Sequence, residues 1–307
     1  MIPIGITARN EARNIRVLLA SLRESVRRAE AALGLRFELH VILNDNEDQT
    51  PALLEDQKGL TVWQTRGGLV EAQRALVQAR PAAPWILFTD ADILIHPETV
   101  TELAAAMQQH PEVEIAYAEK YPLPPLRQTW LAQALYYFNL REGYQTKRLY
   151  CNGQCFAIRH WHIPTVAELR WDPAADTPFL HLGAGIRSDD IYLSLGRAAE
   201  ALHCTQAGIQ YRPPETLRGM FRKYQRMRLE LERLTHFFPR EKPKGRRLDR
   251  SRLRQAPAKE QVLYSIFQGA LLLCKVAYRG QQLYYSHFAK QPCPTWQPVT
   301  ETKEPLG

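Results

Sequence analysis

The sequence predicts an α/β protein: a mostly parallel sheet flanked by helices, with a helical C-terminal extension. Two observations carry this. From Ile2 to Gln109, short apolar runs alternate with segments of helical period. That regular strand-helix order argues a parallel sheet covered on both faces. The polar clusters at Asn10-Glu11, Asn44 to Thr50 and Asp90 to Asp92 each follow such a run, which collects them on the rim where ligands bind in parallel sheets.

In order, residues 2–7 read as a buried strand. A helix follows over about 12–33, with Ile15, Leu18, Leu19, Leu22 and Val26 on one face. Residues 37–43 form the second strand and run into the polar segment 44–50. Helix signals resume at Pro51. A short third strand covers 60–64, Gly67-Gly68 makes a loop, and 69–78 is helical. The fourth strand, 85–89, ends at Asp90-Ala91-Asp92. Pro97 opens a helix over about 97–109. Residues 117–211 are less regular and rich in Trp, Tyr and His. They read as strands and loops forming a second wall of the cleft, with a helix from about 190 to 201. A helix over about 215–235 follows the stop at Pro213-Pro214. The aromatic cluster Trp130, Tyr136, Tyr137, Phe138 and Tyr144 reads as helix core.

With 307 residues, 45% hydrophobic and 23% charged, the chain is long enough for one large domain with additions, and wholesale disorder is excluded. The net charge of +8 concentrates in nine basic residues from Arg240 to Lys259, opposed only by Glu241 and Asp249. Aromatics are almost absent from that stretch, which argues against nucleic acid as a partner. The five cysteines (Cys151, Cys155, Cys204, Cys274, Cys293) lack zinc-knuckle spacing and read as free thiols. The N-terminus passes directly into a strand, so no signal peptide is expected and the expected location is cytoplasmic. Residues 262–278 contain Gln268 and Lys275 and fall short of a spanning segment; a buried or interfacial helix is expected. Following a basic linker, it suggests peripheral attachment to an anionic membrane face, against the plainer reading of a solvated linker and a packed helix.

Two carboxylates one residue apart at a strand end can grip a divalent cation. Mg²⁺ and Mn²⁺ prefer hard oxygen ligands and are commonly completed by substrate phosphates. Asp90 and Asp92 meet that requirement, although a solvated acidic turn would show the same residues.

On these residues the chain resembles the inverting family-2 glycosyltransferases of the GT-A fold, a Rossmann-like architecture. The run from Ile4 to Glu11 is similar to their first strand ending in Asn-Glu. Asp48-Gln49-Thr50 is similar to their Asp-Gly-Thr, Gly68 with Ala72 to Arg74 to their Gly and Ala-Arg-Asn segment, and Phe88 to Asp92 to their metal motif. Ser188 to Leu193 resembles their Glu-Asp-x-x-Leu motif, and Gln225 to Arg228 their Gln-x-x-Arg helix. The resemblance covers about 2–235. It implies a GT-A domain at 1–235, divided into a nucleotide-sugar half (1–116) and an acceptor half (117–235). A basic linker (236–259), a C-terminal helix (260–290) and a disordered tail (291–307) follow.

The resemblance also implies roles. Asp190 would be the base and Asp189 its orienting neighbour, where a helix N-cap is the alternative. Asn10, Glu11, Asp45, Gly68, Arg74 and Asp90 would contact the nucleotide sugar. Asn152, Gly153, Gln154, Gln225, Arg226 and Arg228 would face acceptor or diphosphate. Asp92, with Asp90, would hold Mn²⁺ or Mg²⁺. The loop Asn44-Asp45-Asn46-Glu47 departs from the family's usual pattern, and Leu229 stands where processive synthases carry Trp. The implied activity is transfer of one sugar, UDP-linked by default, to a hydroxyl on a saccharide, lipid or small molecule. A sugar-phosphate nucleotidyltransferase would share the sheet and acids, but Ala8 to Glu11 lacks the glycine-rich loop such enzymes open with. A non-catalytic binding protein on the same fold is the other alternative.

Overall fold

The structure is a computed structural model and describes residues 1–140, 151–195, 200–240, 255–288 and 303–306. Most of the expected basic linker (241–254), residues 291–302 of the expected tail, Tyr144 and Cys293 lie outside the described residues.

The first half follows the predicted alternation. Strand β1 (Ile2–Ala8) leads to α1 (Ile15–Leu33), which Gly34 ends in a left-handed conformation (φ 65°). Strands β2 (Phe37–Asn44) and β3 (Leu60–Thr65), helix α2 (Leu69–Ala79) and strand β4 (Ile86–Asp90) follow. The helix expected at Pro51 is one 3-10 turn, Ala52–Leu54. Strand β5 (Ile93–Ile95) and helix α3 (Thr99–Gln109) complete this half. The second half contributes β6 (Ile115–Pro122), α4 (Trp130–Leu140), β7 (Cys155–Ile158), α5 (Asp189–Leu193), β8 (Ala201–Tyr211), α6 (Leu217–Phe237) and α7 (Ala258–His287).

These strands form one sheet in the order β3-β2-β1-β4-β7-β6-β8-β5. The β3–β2, β2–β1, β1–β4 and β6–β8 pairs are parallel; β4–β7, β7–β6 and β8–β5 are antiparallel. Because side chains alternate along a strand, β2 and β4 serve two cores. Leu39, Val41, Leu43 and Leu87 pack with Leu18, Leu22, Val100 and Leu103 beneath α1 and α3. Ile42, Ile86 and Phe88 face the other side, with Val70 and Leu76 of α2, Phe156, Trp161, Ile191 and Leu234.

One expected helix is shorter than predicted. The local pattern predicts it over about 190–201, but α5 ends at Leu193 and Ala201 already pairs with Ile115 of β6. Long-range strand pairing overrides the local pattern there.

Helix α7 packs through Leu263, Phe267, Ala270 and Cys274 on Ala134 and Leu135 of α4 and Met220 of α6, and through Tyr278 on Phe179 and Leu229. Its outer side leaves Val262, Leu272, Leu273, Val276, Leu283 and Tyr284 exposed. It is the one helix among the described residues long and apolar enough, by length and composition, to cross a membrane.

Candidate active site

The carboxyl ends of β1, β2 and β4 meet at one rim, and hydrogen bonds sew their loops together. Asn10 adopts a left-handed backbone (φ 56°). Its N–H donates to Asn46 Oδ1 (2.6 Å), and its own Oδ1 accepts from Glu47 N (2.8 Å). Asn46 Nδ2 donates to Ala8 O (3.0 Å). Glu11 N donates to Thr50 Oγ1 (2.8 Å), and Ala12 N to Asp48 Oδ2 (3.0 Å). The Asn-Glu and Asp-Gln-Thr segments, far apart in sequence, thus form one platform. Asn10 spends its side-chain oxygen on building that platform.

Asp45 is also left-handed (φ 47°) and exposed; its Oδ2 accepts from Gly67 N at 3.3 Å. Gly68 caps α2 at φ 104°, a conformation glycine adopts without strain, and donates its N–H to Asn44 Oδ1 (3.0 Å). Arg74 contacts a loop carbonyl, a glutamate and a tryptophan ring. It donates to Ile163 O (2.8 Å), pairs with Glu71 (3.1 Å) and lies over the Trp161 ring at 5.5 Å.

The residue that reaches the acids is its neighbour Gln73, 1% exposed. Its Nε2 donates to Asp189 Oδ2 (2.5 Å), while its Oε1 accepts from Trp161 Nε1 (3.1 Å). A sequence signal exists: Gln73 sits between Val70 and Leu76 on the apolar face of α2, and a polar group buried there requires a partner.

Asp90 closes β4, and Asp92 follows after the buried Ala91. The segment Asn152-Gly153-Gln154 joins them to Asp189 and Asp190. Asp90 N donates to Gln154 O (2.9 Å). A Cβ on Gly153 would lie 2.7 Å from Asp190 Cβ and 3.2 Å from Asp189 Oδ1, so Gly153 is the gap that lets the segment meet α5. Asn152, buried, donates to Ala118 O at 3.3 Å.

The two aspartates of α5 differ in how they are held. Both oxygens of Asp189 are engaged: Oδ1 accepts from Asp190 N (2.8 Å) and Oδ2 from Gln73. Asp190 Oδ1 accepts from Ser188 Oγ (2.7 Å) and Ile191 N (2.8 Å). Among the described residues, no hydrogen bond occupies Asp190 Oδ2. Ser188, at the N-cap position, makes no side-chain cap bond.

The acids feel one another. Burial first, then the charges of Asp92, Asp189 and Glu11, hold Asp90 well above the usual carboxylate range. Burial raises Asp92 as well. Burial and then Asp92 raise Glu11 to about 7, while burial and then Asp190 raise Asp189 to about 7.

Opposing positive charge comes from unequal sources. Of the three residues expected on α6, Arg226 acts on Asp90 and Asp92. Gln225 instead donates to Gln281 of α7 (2.8 Å), and Arg228 pairs with Glu232 (3.5 Å). Two unforeseen lysines, Lys223 and Lys303, act on Asp92. Lys303 Nζ donates to Glu11 Oε1 and to the carbonyls of Arg9 and Asn10. Residues 303–306, expected within a disordered tail, are seated here. Asn14 donates to Lys303 O (3.3 Å), Arg13 pairs with Glu304 (2.9 Å), Arg212 donates to Pro305 O (2.9 Å), and Leu306 is 4% exposed. No local periodicity marks such a contact, since Lys303 and Glu11 are 292 residues apart.

A divalent cation fits this arrangement. Crowded carboxylates repel one another, and an oxygen-seeking dication relieves that repulsion. No group of three or more His, Cys, Asp or Glu forms a ready cage among the described residues. Mg²⁺ or Mn²⁺ at this rim would have one or two carboxylates from the chain and would need substrate phosphates to complete its shell. The histidines serve elsewhere: His160 pairs with Glu114, His181 with Asp176 and His203 with Glu119. Cys151, Cys155, Cys204 and Cys274 are free.

No curated protein sequence matches the chain. Among solved structures, residues 1–349 of TarS from S. aureus are 16% identical with a TM-score of 0.44, covering 89% of this chain and 80% of that one. A mannosyltransferase from Pyrobaculum calidifontis in complex with GDP-Man and Mn²⁺ is 17% identical (TM-score 0.47; 94% and 76% covered). Mannosyl-3-phosphoglycerate synthase from Rubrobacter xylanophilus is 15% identical (TM-score 0.46; 77% and 74% covered). The model of the family described as Glycosyl transferase family 2 matches residues 4–162, more than half of the 307 residues, from within the first strand to beyond the segment that meets Asp189 and Asp190. The chain belongs to glycosyl transferase family 2, on a GT-A-type α/β fold with a C-terminal helix.

Proposed function

We propose that this glycosyltransferase moves a single sugar, with inversion, from a nucleotide-diphosphate sugar to an acceptor hydroxyl, with Asp190 as base. UDP is the default nucleotide, by family resemblance. The observation that supports the base assignment is the unequal anchoring of the two aspartates. Asp189 is fixed at both oxygens, whereas Asp190 is fixed at Oδ1 alone, leaving Oδ2 for an incoming hydroxyl. A carboxylate held this way is oriented without losing its basic lone pair.

Asp90 and Asp92 would hold Mn²⁺ or Mg²⁺. When bound, the ion neutralises charge on the diphosphate as it leaves. The chain's own residues do the rest. The Asn10–Glu11 and Asp45–Thr50 platform, with Gly68, receives the nucleoside. Arg226 and Lys223 offset negative charge at the leaving group. Gln73 anchors Asp189, and the Asn152–Gln154 segment keeps the metal-side and base-side acids facing one cleft.

The test is a panel of nucleotide sugars, scored for Mn²⁺-dependent binding and slow hydrolysis. Asp190→Asn is expected to bind donor normally and lose about 10²- to 10⁴-fold in turnover. Asp92→Asn is expected to lose Mn²⁺-dependent donor binding. Undiminished turnover in Asp190→Asn removes it from the role.

The exposed apolar side of α7 supports peripheral seating on an anionic membrane. From Gln261 to His287 the helix holds no acid, and the basic run from Arg240 to Lys259 leads into its first turn. A hydroxyl acceptor carried on lipid would then be met at the surface.

A further inference from the structure

Outside the acids, the most heavily built polar feature is a buried ion pair on the inner face of α6. Glu230 is 3% exposed and Arg233 2%. Glu230 Oε1 accepts from the backbone N–H of Arg187 (2.7 Å) and of Ser188 (3.0 Å). Its Oε2 accepts from Arg233 Nη1 (2.9 Å), and Arg233 Nε donates to His181 O (3.1 Å). The pair therefore grips both ends of segment 181–188, which leads directly into Asp189 and Asp190.

Stability alone is a poor reason for such a pair. Desolvating two charges costs several kcal/mol, and apolar replacements of similar volume are often neutral or stabilising. What an apolar pair cannot do is accept two adjacent N–H groups and donate to a carbonyl six residues earlier. The remaining contacts of the segment point the same way. Asp176 Oδ1 accepts from Leu182 N (2.7 Å), Gly183 N (3.3 Å) and Trp171 Nε1 (3.0 Å), which closes the loop into a compact unit that α6 then holds.

We propose that Glu230, braced by Arg233, is the positioning residue for the Asp189–Asp190 pair, setting the entry of α5 so that Asp190 Oδ2 points at the acceptor hydroxyl. The inference rests on Asp190 being the base. Neither residue touches substrate. Their effect passes through two backbone bonds and one turn of chain. An error of about 1 Å at the reacting oxygen is enough to cost about 100-fold in rate.

Two double variants isolate the contact. Glu230→Gln with Arg233→Met removes both charges but keeps a side-chain oxygen to accept from Arg187 and Ser188. Glu230→Met with Arg233→Met removes the charges and the acceptor. Each is made in the full chain and checked for folding by thermal unfolding, and kcat and KM for donor hydrolysis are measured with Mn²⁺. The expected result is a fall in kcat of about 100-fold in the Met/Met protein, with donor KM within about twofold of wild type, and recovery of most of that loss in the Gln/Met protein. Equal kcat in two folded double variants overturns the inference, as does a loss confined to donor KM. Asp190→Asn is run beside them. If it loses turnover while the two double variants match wild type, the base stands and the positioning role falls. If Asp190→Asn is fully active, the base assignment falls first and takes the positioning role with it.

Discussion

Gly153→Ala tests the geometry of the cleft with the smallest available perturbation, one methyl group. That methyl would be built 2.7 Å from Asp190 Cβ, 3.1 Å from Asp190 Cγ and 3.2 Å from Asp189 Oδ1. Carbon atoms rest at about 3.5–4.0 Å, so the segment and α5 must separate by roughly 1 Å. The relief is not a simple side-chain rotation. Asp189 is tied to Gln73, Asp190 Oδ1 to Ser188 and Ile191, and Asp90 N to Gln154 O. Over-packing of this kind costs about 1–3 kcal/mol. A displacement of that size at a reacting carboxylate costs about 100-fold in rate. The expected protein is folded with a lowered Tm, binds nucleotide sugar in Mn²⁺ within about twofold of wild type, and hydrolyses it about 100-fold more slowly. The assay pairs calorimetric donor titration with nucleotide release. Wild-type hydrolysis with an unchanged Tm would show that Gly153 and Asp190 do not press on one another, and the shared cleft would be refuted.

Two further predictions concern charge. The folded chain holds Asp189 at about 7, against an ordinary value of 3.8, so it retains a proton that the unfolded chain releases. Such a group lowers stability as pH rises from about 4 to about 7, with the full loss present above 7. Metal-free wild type should therefore lose Tm between pH 5 and 7.5, and Asp189→Asn should flatten that slope; an unchanged slope assigns it to other groups. On α7, Leu272 and Val276 are 61% and 62% exposed, so Leu272→Glu with Val276→Glu should leave Tm unchanged. The same change should abolish co-sedimentation with vesicles rich in anionic lipid while leaving the low binding to neutral vesicles untouched. Equal wild-type binding to both vesicle types would count against membrane seating.

How far the site could be read from sequence depends on the range of the contacts. Strands β1, β2 and β4 were legible because each is a largely apolar run closed by polar residues. Asp90, Asp92, Asp189 and Asp190 were legible because each pair sits within a short motif. Strand β5 was overlooked, since three residues carry no period and Ile93 to Ile95 become a strand only by pairing with β8. Gln73 lies inside the Ala72 to Arg74 segment, but its role shows only in the fold, where it is buried between Asp189 and Trp161. Glu230 and Arg233 belong to no short motif; only the approach of 181–188 to α6 gives them their contacts. Lys303 lay beyond any local pattern, in a stretch whose prolines pointed to disorder.

That last contact bears on how the protein is handled at the bench. Residues 303–306 lie against the loop after β1, and Leu306 is buried. An affinity handle joined beyond Gly307 would begin two residues after that leucine and pull on the lysine beside Glu11. Preparations carrying such a handle are expected to report a weakened grip on nucleotide sugar that belongs to the handle. A handle placed ahead of Met1, 78% exposed, avoids the artefact.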